Sequence, residues 1–196
     1  MESSQGLTTV EFTSDQISAV EEFCRACELV GYKNNISVKS MRLDWCLNLG
    51  GQFFLTYSND KIISLSGCHP LPQAGEHVYR ILFRGATLPE YQNLYGTLNK
   101  THMNSIPFYY HVPLEIEWAK KSSATKFVVT TNWSNPDGIA SMSKSHRVFQ
   151  LLEKQGLVSC LEEKVILFDT EQSVWNLNLE TYFTAREGFR SRNELY

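Results

Sequence analysis

The sequence predicts a mixed α/β (α+β) domain, built on a central mixed, mostly antiparallel sheet of about seven strands flanked by about four helices. Three stretches carry that prediction. Lys126–Thr131 is a short β-branched run, and after a polar loop Ser143–Gln155 repeats its apolar residues with helical period before Gly156. Strand, loop, helix and glycine stop follow one another there. Gln52–Tyr57 and Lys61–Ser66 are rich in aromatic and β-branched residues and are separated by Ser58-Asn59-Asp60, the composition of a hairpin. Ile17, Val20, Phe23, Cys24, Cys27 and Val30 recur on one face of a helix that Gly31 stops, the stripe by which a surface helix covers a core.

The remaining elements fall between these. Leu7–Phe12 reads as a first strand, and Thr13 with Gln16 has the spacing of a capping box ahead of the first helix. A second short helix is expected from Ser37, carrying Met41, Trp45 and Cys46. Gly67–Gly75, with two prolines, reads as a loop, and His77–Phe83 alternates as a strand. Thr87–Asn104 is long and polar, and loops of that length usually serve a function or hide structure. A helix then enters at Ser105, with Pro107 tolerated in a first turn. Pro113 requires either a kink or a new helix start before Trp118–Lys121. Leu157–Cys160 and Val165–Asp169 read as two further strands, while Ser173–Tyr182 has no clear pattern. The domain is expected to span residues 1–184, with 185–196 as a charged, frayed tail.

Composition narrows the functional classes. Hydrophobic residues make up 42% and charged residues 20%, the balance of a folded domain rather than a disordered one. The net charge of -3 offers no global attraction to nucleic acid or to an anionic membrane. No stretch approaches the ~20 apolar residues that span a bilayer. Met1–Gly6 has neither the basic start nor the apolar centre of a secretory signal, and five cysteines without such a signal favour free thiols. The expected location is therefore cytoplasmic. Cys24 and Cys27 share the buried helical stripe with no second ligand pair at metal spacing, so they are expected in the core and no metal site is expected.

The order of elements, the strand ending in Asn132 and the Glu153-Lys154-Gln155-Gly156-Leu157 ending of the following helix resemble the GCN5-related N-acetyltransferase superfamily. The resemblance runs over roughly Leu7–Asp169 by element order. Tyr79–Gly85, Ser105–Phe108 and Gln172–Trp175 are also similar to phage-encoded acetyltransferase-like proteins of unassigned role. The resemblance implies a sheet splayed between its fourth and fifth strands, with acetyl-CoA in the cleft. It implies a pyrophosphate held on amides at the start of the third main helix, where free N–H groups and the helix dipole favour an anion. Two departures stand out. The place of the family's glycine-rich loop, His102–Pro107, has no glycine, and Leu152 occupies the position of a tyrosine used as a general acid.

The candidate residues follow from both readings. Arg80 and Arg84 share a strand face and form either an anion clamp or structural ion pairs. Leu82 and Phe83, with Arg84, offer backbone N–H groups that could steady an oxyanion. Thr101, His102, Asn104, Ser105 and Ile106 surround the helix start that the resemblance assigns to phosphate; the same residues serve equally as a cap. Asn132 is either a contact to the cofactor's pantetheine arm or the start of a turn, given Asn135–Gly138. Arg147, beside Lys144 and His146, is a candidate for the cofactor's phosphates. His69, His102 and His146 are candidate bases, because imidazole titrates near neutrality. Of these His69 leads, placed at a sheet end before Pro70 where a substrate could reach it. Glu115 and Glu117 are expected on the solvent side.

The functional expectation is an acetyl-CoA-dependent N-acetyltransferase acting on a small-molecule or protein amine, as a monomer or homodimer. Two alternatives stand beside it: a non-catalytic binding module on the same fold, and a phage-type relative that modifies nucleobases.

Overall fold

The computed structural model describes residues 7–29, 47–81, 86–91, 106–133, 144–167 and 169–193. Among them are eight strands in one sheet and four α-helices. The strands are β1 (Leu7–Glu11), β2 (Gln52–Ser58), β3 (Lys61–Pro70), β4 (Val78–Ile81), β5 (Ala86–Thr87), β6 (Lys126–Asn132), β7 (Val158–Leu167) and β8 (Thr170–Leu177). The helices are α1 (Ile17–Leu29), α2 (Val112–Lys121), α3 (Lys144–Lys154) and α4 (Leu179–Asn193), and a π-helical turn, Pro107–His111, runs directly into α2. The sheet order is β1-β2-β3-β4-β6-β8-β7, with β5 paired to β3 off that path. Every neighbour is antiparallel except β4 and β6, which are parallel.

Local chemistry explains the elements that the sequence announced. The Thr13 N–H donates to Gln16 Oε1 at 2.8 Å, so the expected capping box is in place ahead of α1. Asn59 takes the left-handed conformation (φ 54°) in the two-residue turn between β2 and β3. Gly156 has φ 74° at the end of α3, and the Leu157 N–H returns to Leu152 O at 3.0 Å, which closes the helix as its glycine predicted. Cys24 and Cys27 are buried on α1 with Val20 and Phe23.

The sheet buries two faces. Alternation along the strands places Tyr79, Ile81, Phe127, Val129, Trp175 and Leu177 under α2, α3 and the start of α4, in one cluster with Val112, Ile116, Phe149, Leu152 and Tyr182. On the other face α1 covers Phe53, Leu55 and Leu65 of the hairpin half. A smaller cluster of Val78, Val128, Val174, Leu167 and Leu71 lies beyond it. Among the described residues no helix is long and apolar enough to cross a membrane.

Several expectations are corrected. Gly67–Pro70 is not loop but the end of β3, because Gln52 and Phe53 of β2 pair with Cys68 and Gly67. Residues 158–167 form one strand rather than two, and Ser173–Leu177 belongs to its hairpin partner β8. The charged Glu162–Lys164 run hid this continuity. It lies exposed on a bulged edge strand, where charge and register shifts discourage pairing with another chain. The charged segment from Ala185 is helical as far as Asn193 rather than frayed. The expected helix around Met41, Trp45 and Cys46 lies outside the described residues.

Gly67 is the position where absence of a side chain is essential: a Cβ would lie 2.4 Å from Gln52 O and 2.7 Å from Phe53 Cδ1. Gly67→Ala is expected to cost about 3 kcal/mol through overpacking. Gly188→Ala, in α4 where a Cβ meets nothing within 4 Å, is expected to add about 0.5–1 kcal/mol by favouring the helix. Urea denaturation of both variants checks the pair, and equal effects would contradict the β3–β2 register.

Candidate functional site

The β4–β6 junction is the one parallel contact in the described sheet, and it is short. Val78, Tyr79 and Arg80 pair with Lys126, Phe127 and Val128. Past that point each strand is paired with its outer neighbour: Ile81 with Cys68 on β3, and Val129–Asn132 with β8. Among the described residues the ladder between the two strands ends at Arg80 and Val128, while β6 runs on through Asn132. Thr130, on that overhang, has a buried hydroxyl with no hydrogen-bond partner among the described residues.

Arg80 and His69 are cross-strand neighbours on the face away from α2. His69 Nδ1 lies 2.7 Å from Pro70 O, so Nδ1 carries the proton and Nε2 accepts from Arg80 Nη1 at 3.4 Å. His69 is only 1% exposed. Burial, and then the Arg80 guanidinium, push its pKa down to about 4. The imidazole is therefore neutral near pH 7 and turns its lone pair toward a cation. His69 does lie at the end of β3, as expected, but buried and with both ring nitrogens hydrogen-bonded.

The other predicted residues are distributed as follows. Leu82, Phe83, Arg84, Thr101, His102, Asn104 and Ser105 lie outside the described residues. Ile106 is fully buried against the α1 side of the core, and its backbone is already helical (φ -63°, ψ -53°) where it enters the π turn. Asn132 ends β6, exposed, and its Oδ1 accepts from Gln172 Nε2, which also donates to Thr170 Oγ1 at 2.7 Å. Arg147 is exposed on α3. His146 does not join it in a basic patch. It is buried between the rings of Trp133 and Trp175, at 4.4 and 5.1 Å. Its Nδ1–H donates to Ser173 Oγ at 2.9 Å, since the Ser173 hydroxyl donates to Glu163 O at 2.6 Å. Burial lowers its pKa.

The sequence reading missed a polar set around the π turn. His111 is fully buried, with Nε2 2.6 Å from Thr56 Oγ1, which in turn lies 2.9 Å from Thr9 Oγ1. Burial pushes its pKa down to about 3. Glu115 is buried as well, contrary to expectation, whereas Glu117 is exposed and pairs with Lys121 at 2.9 Å. The signal was available: Val112, Glu115, Ile116 and Ala119 form the buried stripe of α2, so helical period places Glu115 inward.

Compared with solved structures, the chain aligns over nearly its whole length with acetyltransferases. It covers 89% of this chain and 99% of a GNAT-family acetyltransferase from Staphylococcus aureus Mu50, at 14% identity and a TM-score of 0.54. The chain has the fold of the GNAT acetyltransferases. An acetyltransferase from Streptococcus agalactiae matches with a TM-score of 0.55 at 16% identity, over 89% of this chain and 99% of that one. The aminoglycoside 6'-N-acetyltransferase of Enterococcus faecium matches at 0.53 with 10% identity, over 87% of this chain and 96% of that one. No protein-family model matches the sequence, and no curated protein matches it. The phage-like flavour of the resemblance finds no counterpart among these structures.

Two buried, neutral histidines make stability depend on acid in a defined direction. The folded pKa values of about 4 for His69 and about 3 for His111 lie below the ordinary 6.5. The unfolded chain therefore binds more protons below pH 6.5, so stability falls as pH drops from 6.5 toward 4. His111→Gln is expected to flatten that slope by up to about 1.4 kcal/mol per pH unit. Urea midpoints at pH 7, 6, 5 and 4 read it, and an unchanged slope would show that His111 is not held neutral.

Proposed function

We propose that the chain is an acetyl-CoA-dependent N-acetyltransferase that acts on an amine. The observation that carries the reading is the parallel β4–β6 junction whose described ladder stops at Arg80 and Val128 in an otherwise antiparallel sheet. A strand edge that no described residue pairs can act as a hydrogen-bonding rail. Val129–Asn132, with the unpartnered Thr130 hydroxyl beside it, fits the extended, amide-bearing arm of an acyl-CoA. When bound, the thioester supplies the activated acyl group.

The chain's own residues take roles around that rail. Backbone N–H groups of Leu82–Arg84 are assigned to steady the oxyanion as an amine adds to the carbonyl. The helical segment entering through Ile106, with Thr101, His102, Asn104 and Ser105 before it, is assigned to the pyrophosphate, where amides at a helix start favour an anion. Arg147, exposed on α3, is placed for the outer phosphates, and Asn132 for the pantetheine amides. Arg80 is a clamp for an anionic part of the acceptor, and His69 holds it by accepting its N–H. Most of the acceleration in such a site comes from aligning amine and thioester. Proton removal from the amine falls to water rather than to His69, whose lone pair is engaged.

A non-catalytic module is the second reading, favoured by Leu152. This residue is fully buried in the core at the position where the resemblance expects a tyrosine acid. Cytoplasmic location, a small-molecule or protein amine acceptor and a monomeric or homodimeric state complete the proposal.

The test is ligand-dependent stability followed by transfer. At a hundredfold excess over Kd, acetyl-CoA and coenzyme A should each raise stability by about 2.7 kcal/mol. Thiol release with a panel of polyamines, amino acids and aminoglycosides should then separate enzyme from module. Stabilisation without release across the panel favours the module, and no stabilisation by either ligand removes the acyl-CoA reading altogether.

A further inference from the structure

A chain of hydrogen bonds from the β7–β8 turn fixes which way a side chain at the end of β6 faces. Thr170 Oγ1 lies 3.1 Å from Leu167 O. A carbonyl only accepts, so the single hydroxyl hydrogen goes there and Thr170 Oγ1 is left as an acceptor. Gln172 stands two residues on, on the same face of β8, and is buried. The group it brings to 2.7 Å from Thr170 Oγ1 is therefore its NH2 rather than its oxygen. The same Nε2 donates to Oδ1 of Asn132, its direct partner across the ladder. With its oxygen engaged by Gln172, Asn132 turns the other arm of its planar amide, the Nδ2 donor, away from that residue. Asn132 is the last residue of β6 and is exposed. A polarity decided inside the sheet is thus displayed at its surface. Two residues earlier on the same face of β6, Thr130 adds a buried hydroxyl with no hydrogen-bond partner among the described residues.

On the acyl-CoA reading above, we infer that Gln172 and Thr170 are positioning residues that hold Asn132 as a hydrogen-bond donor, so that the end of β6 selects a carbonyl oxygen of the pantetheine arm. The reading gave Asn132 to the arm's amides as a whole; the relay narrows that to one atom type. An amide can offer a ligand either end, and an unanchored asparagine loses part of its binding energy in choosing. Here the choice is made before the ligand arrives. Thr130, whose hydroxyl both donates and accepts, has no such bias and suits the N–H or the second carbonyl of the same arm.

Reversing the relay tests it. In the full-length protein, Gln172→Glu replaces the donor with a carboxylate, which accepts only, so Asn132 turns its NH2 inward and its oxygen out. Coenzyme A and pantetheine should then each bind about tenfold more weakly, the scale of one hydrogen bond. Adenosine bisphosphate, the cofactor's phosphate end without the arm, should bind as before, which separates the relay from the added charge and from general damage. Thr170→Val removes the acceptor that orients Gln172 and should weaken both arm-bearing ligands, whereas Thr170→Ser keeps the hydroxyl and should bind like the wild type. In isotope-labelled protein the Asn132 side-chain NH2 signal should shift on adding pantetheine to the wild type and not to Gln172→Glu. If Gln172→Glu fails to fold, the exposed Thr170 pair carries the test. Coenzyme A binding equally well to wild type, Gln172→Glu and Thr170→Val overturns the relay alone. Wild-type protein that binds neither coenzyme A nor pantetheine overturns the acyl-CoA reading, and the carbonyl assignment with it.

Discussion

The structure turns on a three-pair parallel seam. β4 and β6 are the only link in the described sheet between the β1–β4 half and the β6–β8–β7 half, and they share a ladder over Val78–Arg80 and Lys126–Val128 alone. The described ladder is short, and apolar residues packed across the seam also join the two halves. Tyr79 and Ile81 on one side of the seam, and Phe127 and Val129 on the other, pack under the same apolar residues of α2 and α3. Burial of that layer joins the halves together with the backbone pairing. Among the described residues, the edge of β6 beyond Val128 has no partner on the β4 side.

A second constraint compounds the first. The helix that bridges the seam carries Pro113 near its start, and the turn before it is π rather than α. A proline inside a helical path costs about 3 kcal/mol when nothing compensates. Here the compensation is tertiary. A late element, α4, returns to satisfy Phe108 O and Tyr109 O. The C-terminal helix is thus tied to the same region of the molecule as the seam.

The described histidines in the interior show how the fold handles ionisable groups. His69, His111 and His146 are buried, each with a hydrogen-bonded ring and each with its pKa lowered first by burial. Buried imidazole keeps its neutral form because the charged form would lose its hydration. The His69 ring is hydrogen-bonded on both nitrogens, to Pro70 O and to Arg80 Nη1.

Much of the fold was legible because its signals are local. The capping box at Thr13 and Gln16, the two-residue turn at Asn59, the period of α1 and α3 and the glycine at 156 are decided by residues within one or two turns of each other. What escaped was decided at a distance. β3 reaches Pro70 because β2 and β4 are there to pair with it, and the charged Glu162–Lys164 stretch is strand because β8 lies alongside. The fate of His69 depended on Arg80 arriving across the ladder. By itself the sequence determined the hairpin of β2 and β3, the helices α1 and α3 and the mixed sheet. Only the tertiary structure decided that β4 and β6 pair in parallel and that α4 reaches the carbonyls of Phe108 and Tyr109, because both depend on hydrogen bonds between residues far apart in the chain.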